Sequence, residues 1–93
     1  MRKLEPTGRF KRDYKLLQKQ QIFDREAFDY VINQLANDIP LEEKYRDHEL
    51  RGNFEGAREC HIKPDWLLIY AKDKEKLRLI LMRTGSHSNL FGM

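Results

Sequence analysis

Cysteine is nearly absent from this chain. Cys60 stands alone, so no internal disulfide can form and a reducing compartment is expected. Long apolar runs are missing as well. None approaches the ~20 residues that a membrane span needs. The N-terminus is charged and lacks a signal-peptide core. No membrane contact is expected, and the cytoplasm is the expected location. The sequence holds no phosphate-cradling P-loop, dinucleotide fingerprint or nucleophile elbow. It has no repeat, low-complexity tract or linker, so residues 1–93 are read as one domain. Histidine is scarce, with only His48, His61 and His87.

What remains is the composition of a small folded domain, 35% charged and 40% hydrophobic over 93 residues. A chain this short has a modest core. The net charge is only +3, but it is unevenly spread. Residues 1–20 hold seven Lys or Arg against Glu5 and Asp13. Such a segment is either a solvated helix face or a surface that tracks phosphates.

Residues 2–5 suit a short edge strand, ended by Pro6. Thr7 can cap a helix over residues 8–20, where Phe10, Tyr14 and Leu17 recur at helical spacing. Asp24 is the N-cap of a second helix reaching about Asn37. Phe23 and Phe28 are placed for a hydrophobic staple, and Phe28, Val31, Ile32 and Leu35 form its apolar stripe. The short connection implies an antiparallel helix pair. Residues 41–52 read as a long loop with one helical turn, carrying His48. Three strands follow, at about 54–62, 66–71 and 77–83, with a short tail after Gly85. The expected fold class is α+β, with two N-terminal helices packed on a twisted antiparallel sheet.

The strands explain how scattered polar residues could meet. Pairing Ala71 with Leu77 puts Arg83 opposite Asp65. Pairing Ile62 with Trp66 puts His61 opposite Leu67. His61, Asp65 and Arg83 then share one face, at the end of an apolar patch of Leu67, Ile69, Leu79 and Leu81. His87 need only fold back after Gly85. A slip of one residue would flip a strand's face.

Histidines, an aspartate and an arginine beside an aromatic ring suit chemistry on an RNA phosphate. One histidine can accept a proton and another donate it. An arginine can hold phosphoryl oxygens through the transition state, and an aromatic ring can stack on a base. With the 2′-hydroxyl as nucleophile, the chemistry calls for no metal and no cofactor. Each residue also has a plainer reading. Arg83 and Asp65 suit a cross-strand ion pair, Trp66 suits the core, His61 a satisfied strand position, and Phe91 a tail anchor. Cys60 reads as a small buried residue. A zinc site shared with the histidines is disfavoured, because Cys60 and His61 point to opposite faces of a strand.

The segments Tyr45-Arg-Asp-His48, Leu50-Arg-Gly52, Arg58-Glu-Cys-His61-Ile-Lys-Pro-Asp65-Trp66-Leu-Leu-Ile-Tyr70 and Arg83-Thr-Gly-Ser-His87-Ser-Asn-Leu-Phe91-Gly92 resemble, in this order, the YafQ branch of the RelE toxin superfamily. The resemblance implies a microbial-ribonuclease-like fold and a type II toxin that cuts messenger RNA in the ribosomal A site. It also implies a cognate antitoxin, with operator DNA reached only through that complex. Carried over by position, it implies catalytic roles for His48, His61, Asp65, Arg83 and His87, and substrate contacts for Trp66, Phe91 and Arg83. His87 would be the acid, and His48, His61 and Asp65 would supply or orient the base. Two alternatives stand beside this reading: a non-catalytic antitoxin-binding and co-repressor module, and a ribonuclease that acts without ribosomes.

Overall fold

A computed structural model describes residues 1–52 and 56–91. Strand β1 (Lys3–Pro6) leads into helix α1 (Gly8–Leu17), and helix α2 (Arg25–Ala36) follows. A 3₁₀ turn (Glu43–Tyr45) precedes a short strand β2 (His48–Glu49). Strands β3 (Arg58–Lys63), β4 (Trp66–Asp73) and β5 (Arg78–Gly85) and a short helix α3 (His87–Phe91) complete the described elements. The strands lie in the order β1-β5-β4-β3-β2. The start of the expected third-quarter strand at Phe54 lies outside the described residues.

Local chemistry sets the helix starts as expected. The Thr7 hydroxyl accepts from the Phe10 N–H, and the Asp24 carboxylate accepts from the Ala27 N–H. The apolar stripes of both helices face the sheet. Phe10, Leu17, Phe28, Val31, Ile32 and Leu35 are buried with Cys60, Ile62, Trp66, Leu68, Tyr70, Leu79 and Leu81. Rings join the layers: Phe28 meets Phe10, Tyr14 and Trp66, and Phe23 meets Tyr14 and Trp66. The opposite face of the sheet carries a smaller cluster of Ala57, Leu67, Ile69 and Leu90, flanked by Leu50, Met82 and Phe91. Among the described residues, no helix is long and apolar enough to cross a membrane.

Several expectations are corrected. The sheet is mixed rather than wholly antiparallel, because β1 runs parallel to β5. That pairing joins sequence-distant segments, so no local pattern announces it. The tail folds into α3, starting after Gly85, whose φ of 149° lies where few side-chain-bearing residues go. The turn after β3 is tighter than expected, with Lys63 rather than Ile62 opposite Trp66. The β4–β5 hairpin is longer, and Ala71 pairs with Ile80 rather than Leu77.

The β4–β5 difference reorganises the faces. The three-residue slip sends Leu79 and Leu81 to the helix side, away from Leu67 and Ile69. The expected patch is therefore split between the two faces. A β-bulge then leaves Met82 unpaired between Tyr70↔Leu81 and Ile69↔Arg83. Its extra residue makes the slip even, so Arg83 returns to the face of Ile69 and His61. Arg83 thus lies opposite Ile69 and not opposite Asp65.

Candidate active site

The register draws the site across the face of the sheet opposite α1 and α2. One row of directly paired residues runs His48, Glu59, Ile69, Arg83 over β2, β3, β4 and β5. The next row runs His61, Leu67, Gly85. Directly paired residues share a face, as do alternate residues along a strand. His48, Glu59, His61 and Arg83 therefore stand on one surface.

Glu59 is the centre of the β2–β3 half. It is only 7% exposed. One carboxylate oxygen lies 3.5 Å from His48 Nε2 and 3.7 Å from His61 Nε2. Each ring is pinned from its other side. His48 Nδ1 sits 2.7 Å from the Arg46 carbonyl, and His61 Nδ1 sits 3.2 Å from the Pro64 carbonyl. A carbonyl can only accept, so each Nδ1 is the donor there. Both Nε2 atoms are thereby left to exchange a proton, and both are aimed at Glu59. Arg46 reaches its position through a left-handed backbone, φ 48°. Asp47, beside it, accepts from Tyr70 and Arg58 and ties this loop to the sheet. Burial, with the hydrogen bond to Asp47, pushes the Tyr70 hydroxyl well above its ordinary range, so it stays a donor.

The other half is built on α3. Asp65 accepts from the His87 backbone N–H at 3.4 Å, which fastens the start of that helix to the β3–β4 turn. The His87 and Phe91 rings lie 4.8 Å apart, one helical turn from each other. Phe91 also packs on the cluster under this face. Leu90 anchors α3 below.

Two sequence expectations take a different form. Trp66 is fully buried, between Phe28 and Phe23, and donates to the Thr84 hydroxyl at 2.9 Å. It has no exposed face for a base to stack on, because alternation on β4 turns it to the helix side with Leu68 and Tyr70. The ion pair foreseen between Arg83 and Asp65 is also not formed. Arg83 is held by Asp13 of α1 through Nε at 2.7 Å and Nη2 at 3.2 Å.

Glu59 was missed from sequence, although it was legible: it stands two residues before His61 and so shares its face. Asp13 had a fainter signal as the lone acid in the basic segment 8–20. Cys60 lies on the far side, fully buried, and burial pushes its thiol far above the usual range. Among the described residues, no group of three or more His, Cys, Asp or Glu is arranged to hold a metal ion.

The small α+β domain has the fold of known toxins. A metal-bound toxin from Helicobacter pylori superposes with a TM-score of 0.90 at 44% identity, over 98% of this chain and 100% of that one. The toxin in the Escherichia coli DinJ-YafQ toxin-antitoxin complex superposes with a TM-score of 0.84 at 39% identity, over 98% of each chain. The mRNA interferase toxin YafQ of Escherichia coli (strain K12) is 40% identical over 92 residues, covering 98% of this chain and 97% of that protein. Residues 2–92 match the family model described as bacterial toxin of type II toxin-antitoxin system, YafQ. The chain belongs to this toxin family.

Proposed function

We propose that the protein is an endoribonuclease toxin that cuts messenger RNA on the ribosome and is held in check by a cognate antitoxin. The carrying observation is the buried Glu59 carboxylate set between two imidazoles, on the same face as Arg83. A carboxylate with two poised imidazoles is a proton acceptor, and an arginine nearby is an anion holder. The enzymatic reading agrees with the relative named mRNA interferase toxin. The antitoxin partner agrees with the DinJ-YafQ complex.

The reaction follows from the groups present. The Glu59–His48–His61 cluster takes the proton of an RNA 2′-hydroxyl. The 2′-oxygen attacks phosphorus, the bond to the 5′-oxygen breaks, and a 2′,3′-cyclic phosphate forms. His87 gives a proton to the departing 5′-oxygen. Asp65 fixes the start of the helix that carries His87, and Phe91 limits the swing of its ring. Arg83 holds phosphoryl oxygens as charge builds on them. These groups account for every bond and proton in the reaction, so no step is routed through a metal. The basic residues at 1–20 would supply sequence-independent attraction to ribosomal RNA phosphates. A cytoplasmic location follows from that target.

The test is mapping of RNA ends after expression, for wild type and His87→Ala, and with purified protein with and without ribosomes. Cuts in translated messages that vanish with His87→Ala are expected. Equal cutting of naked RNA would remove the ribosome from the reading. Growth arrest that persists with intact messages would point to a binding module acting with its antitoxin at operator DNA.

A further inference from the structure

Strand β5 outruns its neighbour. Pairing with β1 ends at Pro6↔Leu81, which leaves the outer edge of β5 unpartnered from Met82 onward. Helix α1 and its cap take over that edge. The Thr7 hydroxyl donates to the Met82 carbonyl at 3.1 Å, and Asp13 accepts from the Thr84 N–H at 3.2 Å. The Asp13 oxygen that closes the edge is also the one that accepts from Arg83 Nε. The carboxylate is therefore tied to backbone before it touches the guanidinium. Thr84 is itself held from two sides: its hydroxyl accepts from buried Trp66 and donates to the Leu67 carbonyl at 2.7 Å.

The consequence for Arg83 is geometric. A guanidinium has five N–H donors in one plane. Asp13 engages one on Nε and one on Nη2, which leaves both on Nη1 and one on Nη2. Both partners are mostly buried, with side chains 17% and 15% exposed. Arg83 lines a groove of about 390 Å³ together with Arg9, Arg12, Asp13 and Asn89. The groove therefore carries three arginines against one carboxylate and attracts phosphates.

We propose that Asp13 is a positioning residue for Arg83: it grips the Nε side so that the Nη1 edge is presented, pre-oriented, to an RNA phosphate. A long side chain that is otherwise free would have to be ordered at each encounter, and a small misplacement costs rate steeply. The inference rests on the ribonuclease reading. A merely structural ion pair would leave the rate untouched once the protein is folded.

The experiment compares wild type, Asp13→Asn, Asp13→Ala, Arg83→Ala and the Asp13→Ala/Arg83→Ala double variant in ribosome-programmed cleavage, at a temperature where thermal melts show each folded. Asp13→Ala should lower kcat by about tenfold to a hundredfold, with little change in KM for programmed ribosomes. Asp13→Asn keeps an oxygen for Nε and for the Thr84 N–H, so it should recover most of that loss. In the Arg83→Ala background, Asp13→Ala should add nothing. Full activity of Asp13→Ala, or an equal loss with and without Arg83, overturns the inference. A wild type that cuts nothing overturns the ribonuclease reading instead. The clamp is read apart from activity by the Arg83 Nε–H resonance. Its exchange with solvent should be slow in wild type and fast in Asp13→Ala. Fast exchange in both overturns the inference whatever the cleavage shows.

Discussion

Replacing Trp66 with phenylalanine should cost stability, because the ring belongs to the core. The indole is fully buried, lies nearly parallel to Phe28 at 8° and 6.2 Å between centroids, and touches Phe23 at 5.7 Å. Phenylalanine keeps an aromatic contact but loses the bond from Nε1 to Thr84. That bond is worth about 1 kcal/mol, and the unfilled volume should cost about 1 kcal/mol more. For a domain of this size each kcal/mol moves Tm by about 4–8 °C. Trp66→Phe should therefore melt about 8–16 °C below wild type by circular dichroism. Trp66→Ala, at about 3–5 kcal/mol, would use up much of a total of about 5–15 kcal/mol. Thr84→Val should couple to Trp66→Phe in a double-mutant cycle, since each removes the same bond. Trp66 is the sole tryptophan, so its fluorescence reports the site directly and should resist acrylamide in the native state. Free quenching by acrylamide, or a fall in Tm below about 2 °C, would refute the assignment to the core.

Glu59→Gln removes the proposed proton acceptor while keeping the size of the side chain. Cleavage on programmed ribosomes should fall by about a hundredfold or more, with the circular dichroism spectrum unchanged; near-normal cutting would move the base elsewhere. Asp38 gives a pH signature. Hydrogen bonds from Lys72 and then Arg2 hold its carboxyl down at about 2, against an ordinary 3.8. Because the folded value is the lower one, its contribution is present above about pH 4 and is lost as pH falls through about 2. Plots of Tm against pH for wild type and Asp38→Asn should thus differ at neutral pH and converge in strong acid. Parallel curves down to about pH 2 would contradict the ion-pair account.

The elements built from local chemistry were legible in the sequence. Thr7 and Asp24 cap the helices expected of them, and the apolar stripe through Phe28, Val31, Ile32 and Leu35 faces the core. Pairings between distant segments were not. A bulge depends on how two strands fit, so the return of Arg83 to the open face could not be counted from residue spacing alone. The parallel edge strand β1 lies far in sequence from its partner. Trp66 reads equally well as a stacking platform or as core, and only the side of the sheet decides. Of the candidate site, His48 joined only through family resemblance. Nothing in its loop foretold that β2 would set it beside Glu59. The pairing of Glu59 with His61 was within reach by strand alternation, because i and i+2 share a face.

The clasp between the first helix and the last strand spans 70 residues of chain. The parallel pairing of β1 with β5 closes almost the whole sequence into a single loop. Contacts of such separation form late, after the local helices and hairpins. In chain order both long helices precede β5 and His87. The candidate residues on the face opposite α1 and α2 therefore come together only once β5 has joined the sheet between β1 and β4.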